Sequence, residues 1–163
     1  MWSPGIIFSW LVLVLVAGQL ALLFKTGKGH SEKAAISVWL VMNILMLLLT
    51  PLIYEICADY ISYSYIIWYS FWALLNVLSI LSIYVIHVRF KLPTSKLAAY
   101  ISFSFLALTV VQACGFLDRA IFETKVLDNV YRFLILSINF AVVPTIFMQL
   151  YRDGLLAAKG IFK

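Results

Sequence analysis

Apolar residues gather along this chain into runs of roughly twenty, each long enough to cross about 30 Å of hydrocarbon as a helix. Five such runs occupy about residues 2–24, 34–54, 64–86, 97–116 and 133–150. The pattern predicts an all-α integral membrane protein: a compact bundle of five transmembrane helices with short loops, forming a single domain over residues 1–163. Connections of about six to sixteen residues leave no room for a soluble domain.

Breakers punctuate the runs. No lysine or arginine precedes the first run, and Val16-Ala17-Gly18 is a weak cleavage site, so this run is expected to stay as the first helix. The connection KTGKGHSEK, residues 25–33, carries two glycines. Thr50-Pro51 should bend the second span or loosen its last turn. A short acidic connection with Glu55 and Asp59 leads to a third span that opens on a dense aromatic run. Pro93 punctuates the second basic connection, HVRFKLPTSK. In LDRAIFETKVLDNVYR, Leu117, Ala120, Ile121, Leu127, Val130 and Tyr131 recur at helical spacing. Arg119 with Glu123, and Asp128 with Arg132, form i,i+4 charge pairs. This stretch is predicted to be a short interfacial helix between spans four and five. The last span contains Pro144.

Charge adds an orientation. Only 12% of residues are charged, against about 25% in a soluble domain. Nine of the twelve basic residues share one side in a five-span chain: Lys25, Lys28, Lys33, Arg89, Lys91, Lys96, Arg152, Lys159 and Lys163. The other side holds Arg119, Lys125 and Arg132, with five of the seven acids. Lysine and arginine near span ends prefer the cytoplasm, which places the N-terminus outside and the C-terminus inside. The compact loops suit a bacterial inner membrane. The basic residues are spread over short loops, so membrane topology explains the net charge of +5 better than nucleic acid does.

Candidate chemistry is sparse. Asn43, Asn76 and Asn139 fall near the middle of three different spans. Each needs a partner in hydrocarbon; interhelical bonding is the favoured reading, and a polar pocket or pore the alternative. No Asp, Glu, Lys or Arg falls inside any predicted span, which argues against proton-coupled transport and voltage sensing. His87 is read as an interfacial histidine beside Arg89, and His30 as a solvated loop residue. Neither has metal-ligand spacing, and no cofactor motif is present.

Tyr65, Trp68, Tyr69 and Trp72 crowd one end of span three more densely than an aromatic belt needs. They are candidates for a lipid or ligand groove, and with Glu55 and Asp59 beside them a cation is conceivable there. Cys57 and Cys114 fall on the same face. A disulfide would be available to them in an oxidising lumen, though two separate thiols are favoured. Ser137, Ala141 and Thr145 make a small-residue packing row on span five. Lys25, Lys28, Lys33, Arg89, Lys91 and Lys96 offer a basic face to anionic lipid or an acidic cytosolic protein.

The leading functional expectation is a non-enzymatic multi-pass subunit that forms homo-oligomers or a larger membrane complex, and anchors or senses for a cytosolic partner. The alternatives are an oligomeric pore lined by the midplane asparagines, and a lipid-binding protein or lipid-modifying enzyme using the aromatic groove.

Overall fold

The computed structural model describes residues 14, 16–18, 20–21, 29–122 and 127–158. Four long helices follow one another: α1 (His30–Asp59), α2 (Ser64–Arg89), α3 (Lys96–Ala120) and α4 (Asp128–Ala158). A single 3-10 turn, Ile61–Tyr63, joins α1 to α2. No strand occurs among the described residues. Most of the predicted first span lies outside the described residues. Those that are described are helical, and Val16 is fully buried in the core that the other helices share.

Local chemistry sets the helix ends. Gly29 opens α1 with a left-handed backbone, φ +70°, where a Cβ would meet the Glu32 carboxylate at 3.0 Å. Ser95 caps α3 by accepting the Ala98 N–H at 3.1 Å. α2 ends without a glycine. Lys91 takes a left-handed φ of 51°, while Leu92 N–H closes on the His87 carbonyl at 2.9 Å and Lys91 N–H on Val88 at 3.3 Å. This paired closure is the Schellman motif, with lysine in the position glycine usually holds.

The helices run longer than the apolar runs implied. α1 passes through Pro51 to Asp59, and α4 passes through Pro144. Pro51 removes the N–H that would bond the Leu47 carbonyl, and in the same turn the Thr50 hydroxyl donates to the Met46 carbonyl at 2.6 Å. The separate interfacial helix expected over residues 117–132 is not formed. Residues 117–120 are the last turn of α3, residues 121–122 leave the helix, and residues 128–132 begin α4. Helical periodicity was present on both sides, but it belongs to two long helices rather than one short one.

α3 is the central helix, packed against α1, α2 and α4. In its most apolar window 44% of residues are buried, against 11% in α4, which lies at the edge. Ile36, Trp39, Ile83, Ile101, Phe105 and Val142 are among the core residues. The polarity of the bundle is inverted relative to a water-soluble fold. Asn76, Ser79, His87, Ser104, Gln112 and Asp118 are buried, while Leu74, Leu81, Val85, Phe103, Leu106 and Val110 face outward. A continuous apolar exterior is costly in water and costs nothing against lipid tails. The four helices, with the 3-10 turn extending α2, are long and apolar enough to cross a membrane.

Candidate functional site

Successive helices reverse direction, so the end of α1, the start of α2, the end of α3 and the start of α4 meet at one end of the bundle. All four contribute to a cavity of about 510 Å³, within the range of small-molecule sites. Tyr54 and Cys57 come from α1; Ser64, Tyr65, Trp68 and Tyr69 from α2; Arg119 from α3; Tyr131 and Arg132 from α4.

Aromatic contacts and one polar chain shape this cavity. Tyr54 lies against Trp68 with centroids 4.8 Å apart, and Tyr69 meets Tyr131 edge-on at 5.3 Å. The Trp68 indole N–H donates to the Tyr131 hydroxyl at 3.3 Å, which in turn donates to Gln112 Oε1 at 2.8 Å. Gly115 makes this approach possible. A Cβ there would stand 2.6 Å from Tyr69 Cε1 and 3.1 Å from Tyr131 Cδ2, closer than packed atoms allow. Asp118 supports the α3–α4 junction by accepting the Leu127 N–H at 3.3 Å.

Of the predicted groove residues, Tyr65, Trp68 and Tyr69 line the cavity. Trp72 sits deeper, edge-on to Trp68 at 5.5 Å. The sign of the charge is opposite to expectation. Glu55 and Asp59 are exposed and outside the lining, and the charged lining groups are two guanidiniums, Arg119 and Arg132. Both already engage neighbours in the protein, but five N–H donors on each leave capacity for an anion. Tyrosine rings supply apolar wall and hydroxyl donors together.

A second polar cluster lies at the other end of α2. His87 is buried rather than interfacial, 7% exposed. Its Nδ1 is 2.7 Å from the Ile83 carbonyl; a carbonyl only accepts, so Nδ1 carries a proton. Its Nε2 is 2.7 Å from Ser31 Oγ, which also accepts the Ser95 N–H at 2.9 Å. In the neutral ring, Ser31 donates to Nε2. A serine beside an imidazole is a nucleophile where substrate reaches it. Ser31 and His87 are both more than nine-tenths buried, so here the pair ties the start of α1 and the α2–α3 loop to the end of α2.

The three asparagines are not brought together by hydrogen bonds. Asn43 Nδ2 donates to the Trp39 carbonyl at 2.8 Å and Asn139 Nδ2 to Ile135 at 3.0 Å, each within its own helix. Asn76 is 2% exposed, and its Oδ1 has no hydrogen-bond partner. Cys57 and Cys114 are free thiols: Cys57 faces the Ser64 carbonyl at 3.4 Å, and Cys114 is exposed. Ser137 and Ala141 are exposed on α4, and Thr145 half-buried, so this row faces away from the bundle. Arg89, Lys91 and Lys96 are exposed, but Lys33 is 8% exposed and engaged within the protein, which removes it from the basic face. Lys25 and Lys28 lie outside the described residues.

Sequence reasoning passed over Tyr54, Gln112, Arg119, Tyr131 and Arg132 in the aromatic end, and Ser31 in the other. Arg119 and Arg132 appeared as halves of local charge pairs, and nothing in their spacing announced that α3 and α4 would bring them to one cavity. Compared with known proteins, the chain matches no family model, and no curated protein or solved structure matches it.

Proposed function

We propose that this is a multi-pass membrane protein that binds an amphiphile with an anionic head, of the phospholipid class, in the aromatic cavity. The observation carrying this reading is the lining itself: tyrosine and tryptophan rings beside two arginines, at the ends of apolar helices. Rings accept the apolar part of such a ligand, and guanidinium matches a phosphate in a bidentate manner. The bundle is read as five crossings of a bacterial inner membrane with its basic loops in the cytoplasm, which sets the cavity in the opposite leaflet.

Phospholipid titration of purified protein, followed by native mass spectrometry, tests the reading. Phosphatidylglycerol is expected to bind at least about tenfold tighter than phosphatidylcholine, and Arg132→Gln to erase the preference, about 1.4 kcal/mol per tenfold. Equal binding of the two lipids would remove the anionic head from the proposal. Binding of neither would remove the lipid.

A second reading, association with another copy or a partner subunit, is favoured by α4. Its small-residue row Ser137, Ala141 and Thr145 points outward from an edge helix, and such rows let helices approach closely. Ala141→Cys is expected to give an oxidant-dependent dimer in native membranes. A monomer under those conditions would exclude a self-association through this row.

A further inference from the structure

One helical turn separates two buried polar groups beneath the cavity. Trp72 is 7% exposed and Asn76 is 2% exposed. The Trp72 indole N–H has no acceptor, and the Asn76 Oδ1 has no donor. At i and i+4 the two side chains share one face of α2, with Cβ atoms about 6 Å apart. Each would cost free energy if left unmade, because hydrocarbon and packed side chains offer no substitute for water.

The two atoms differ in kind, and that selects what joins them. An indole N–H only donates, and a carbonyl oxygen only accepts. An anion would satisfy Trp72 and be repelled by the amide oxygen. A cation would do the reverse. A hydroxyl is the smallest neutral group that accepts from one and donates to the other. Further polar capacity lies one turn on, where the fully buried Ser79 hydroxyl donates to the Leu75 carbonyl and keeps lone pairs to accept with. Above, the Trp72 ring is edge-on to Trp68, which lines the cavity.

We infer that a hydroxyl group bridges Trp72 Nε1–H and Asn76 Oδ1, forming a neutral hydrogen-bonding site one ring below the aromatic cavity. Its source is either a buried water or the head of an amphiphile seated in the cavity. The inference does not depend on the arginines or on an anionic ligand.

Nuclear magnetic resonance of the full chain with ¹⁵N-labelled tryptophan tests this, in lauryldimethylamine oxide, a detergent with no hydroxyl. The Trp72 indole signal is identified by its loss in Trp72→Phe. A bridging water gives magnetisation transfer between that indole proton and water in delipidated protein. A lipid hydroxyl gives no such transfer until phosphatidylglycerol is added, when the signal shifts. Either result supports the site, and in both Asn76→Leu should move the indole signal. Thermal unfolding supplies a second arm: Trp72→Phe and Asn76→Leu should each lower Tm, and the double variant should fall no further than the worse single. An indole signal that ignores water, lipid and Asn76→Leu alike would overturn the inference. So would an Asn76→Leu protein that melts higher than the parent.

Discussion

At one end of α2, each polar side-chain atom of His87, Ser31 and Ser95 has a partner between 2.7 and 3.1 Å away. At the other end, polar groups are just as numerous, but they surround open volume. Tyr54, Tyr65, Trp68, Arg119 and Arg132 line a cavity, and one turn below it Trp72 and Asn76 hold unmatched atoms. Both ends have polar groups packed among apolar helices, where an unmade hydrogen bond is expensive. The closed end resolves this internally and becomes a fastening. The open end leaves donors and apolar wall in excess, which is the composition of a binding site.

The contrast can be broken most sharply at Gly115. Gly115→Val places branched carbon where Tyr69 and Tyr131 now meet α3, and overpacking of this kind costs about 3 kcal/mol. Thermal unfolding should show the loss, and lipid binding should vanish with it. A variant that keeps both would mean the rings can move aside, and the cavity is not held as described. At the closed end, His87→Leu leaves the Ser31 O–H without its acceptor, while Oγ still accepts from Ser95, and should cost about 2 kcal/mol. Lipid affinity measured on the surviving folded protein should stay within twofold. A large drop in affinity would show that the two ends are coupled.

Smaller effects refine the same comparison. Lys91→Gly relieves a left-handed backbone next to the His87 fastening, and should raise stability by about 1 kcal/mol in a denaturant titration. A loss instead would mean that the lysine side chain contributes more than its backbone strain costs. Asn43→Leu and Asn139→Leu remove amides that bond within their own helices, and each should change stability by no more than about 0.5 kcal/mol. A cost near that of His87→Leu would reveal an interhelical role for these amides.

Much of the helical architecture is legible in the sequence. Runs of apolar residues located α1 to α4, because unbroken apolar stretches of about twenty residues favour a helix, which satisfies its own backbone groups, over other structures. Boundaries were less legible: Pro51 was expected to bend or loosen the end of its span, yet α1 continues to Asp59, and α4 runs from Asp128 to Ala158, beyond the apolar run at both ends. The same ambiguity turned Leu117 to Arg132 into one predicted helix, since periodicity does not say where one helix stops and another starts. In the candidate site, the aromatic run of α2 was visible as a cluster. Arg119, Gln112 and Tyr131 were not, because they lie on two other helices and only packing brings them to it.

His87 shows the limit most plainly. Its neighbours in the chain, Val88 and Arg89, suggest an interfacial residue; its neighbours in space, Ser31 and the Ile83 carbonyl, make it a buried fastening. Local patterning alone decided that the chain folds as long apolar helices, because that depends on how hydrophobicity is distributed along a few turns. Which way each helix turns its polar residues was decided by tertiary structure. The reason is that the outward faces are as apolar as the core, so no amphipathic signal marks the inner side. Only the fit of one helix against another, such as the Tyr69 ring in the space that Gly115 leaves, selects the rotation that gathers arginines at one end and closes the histidine at the other.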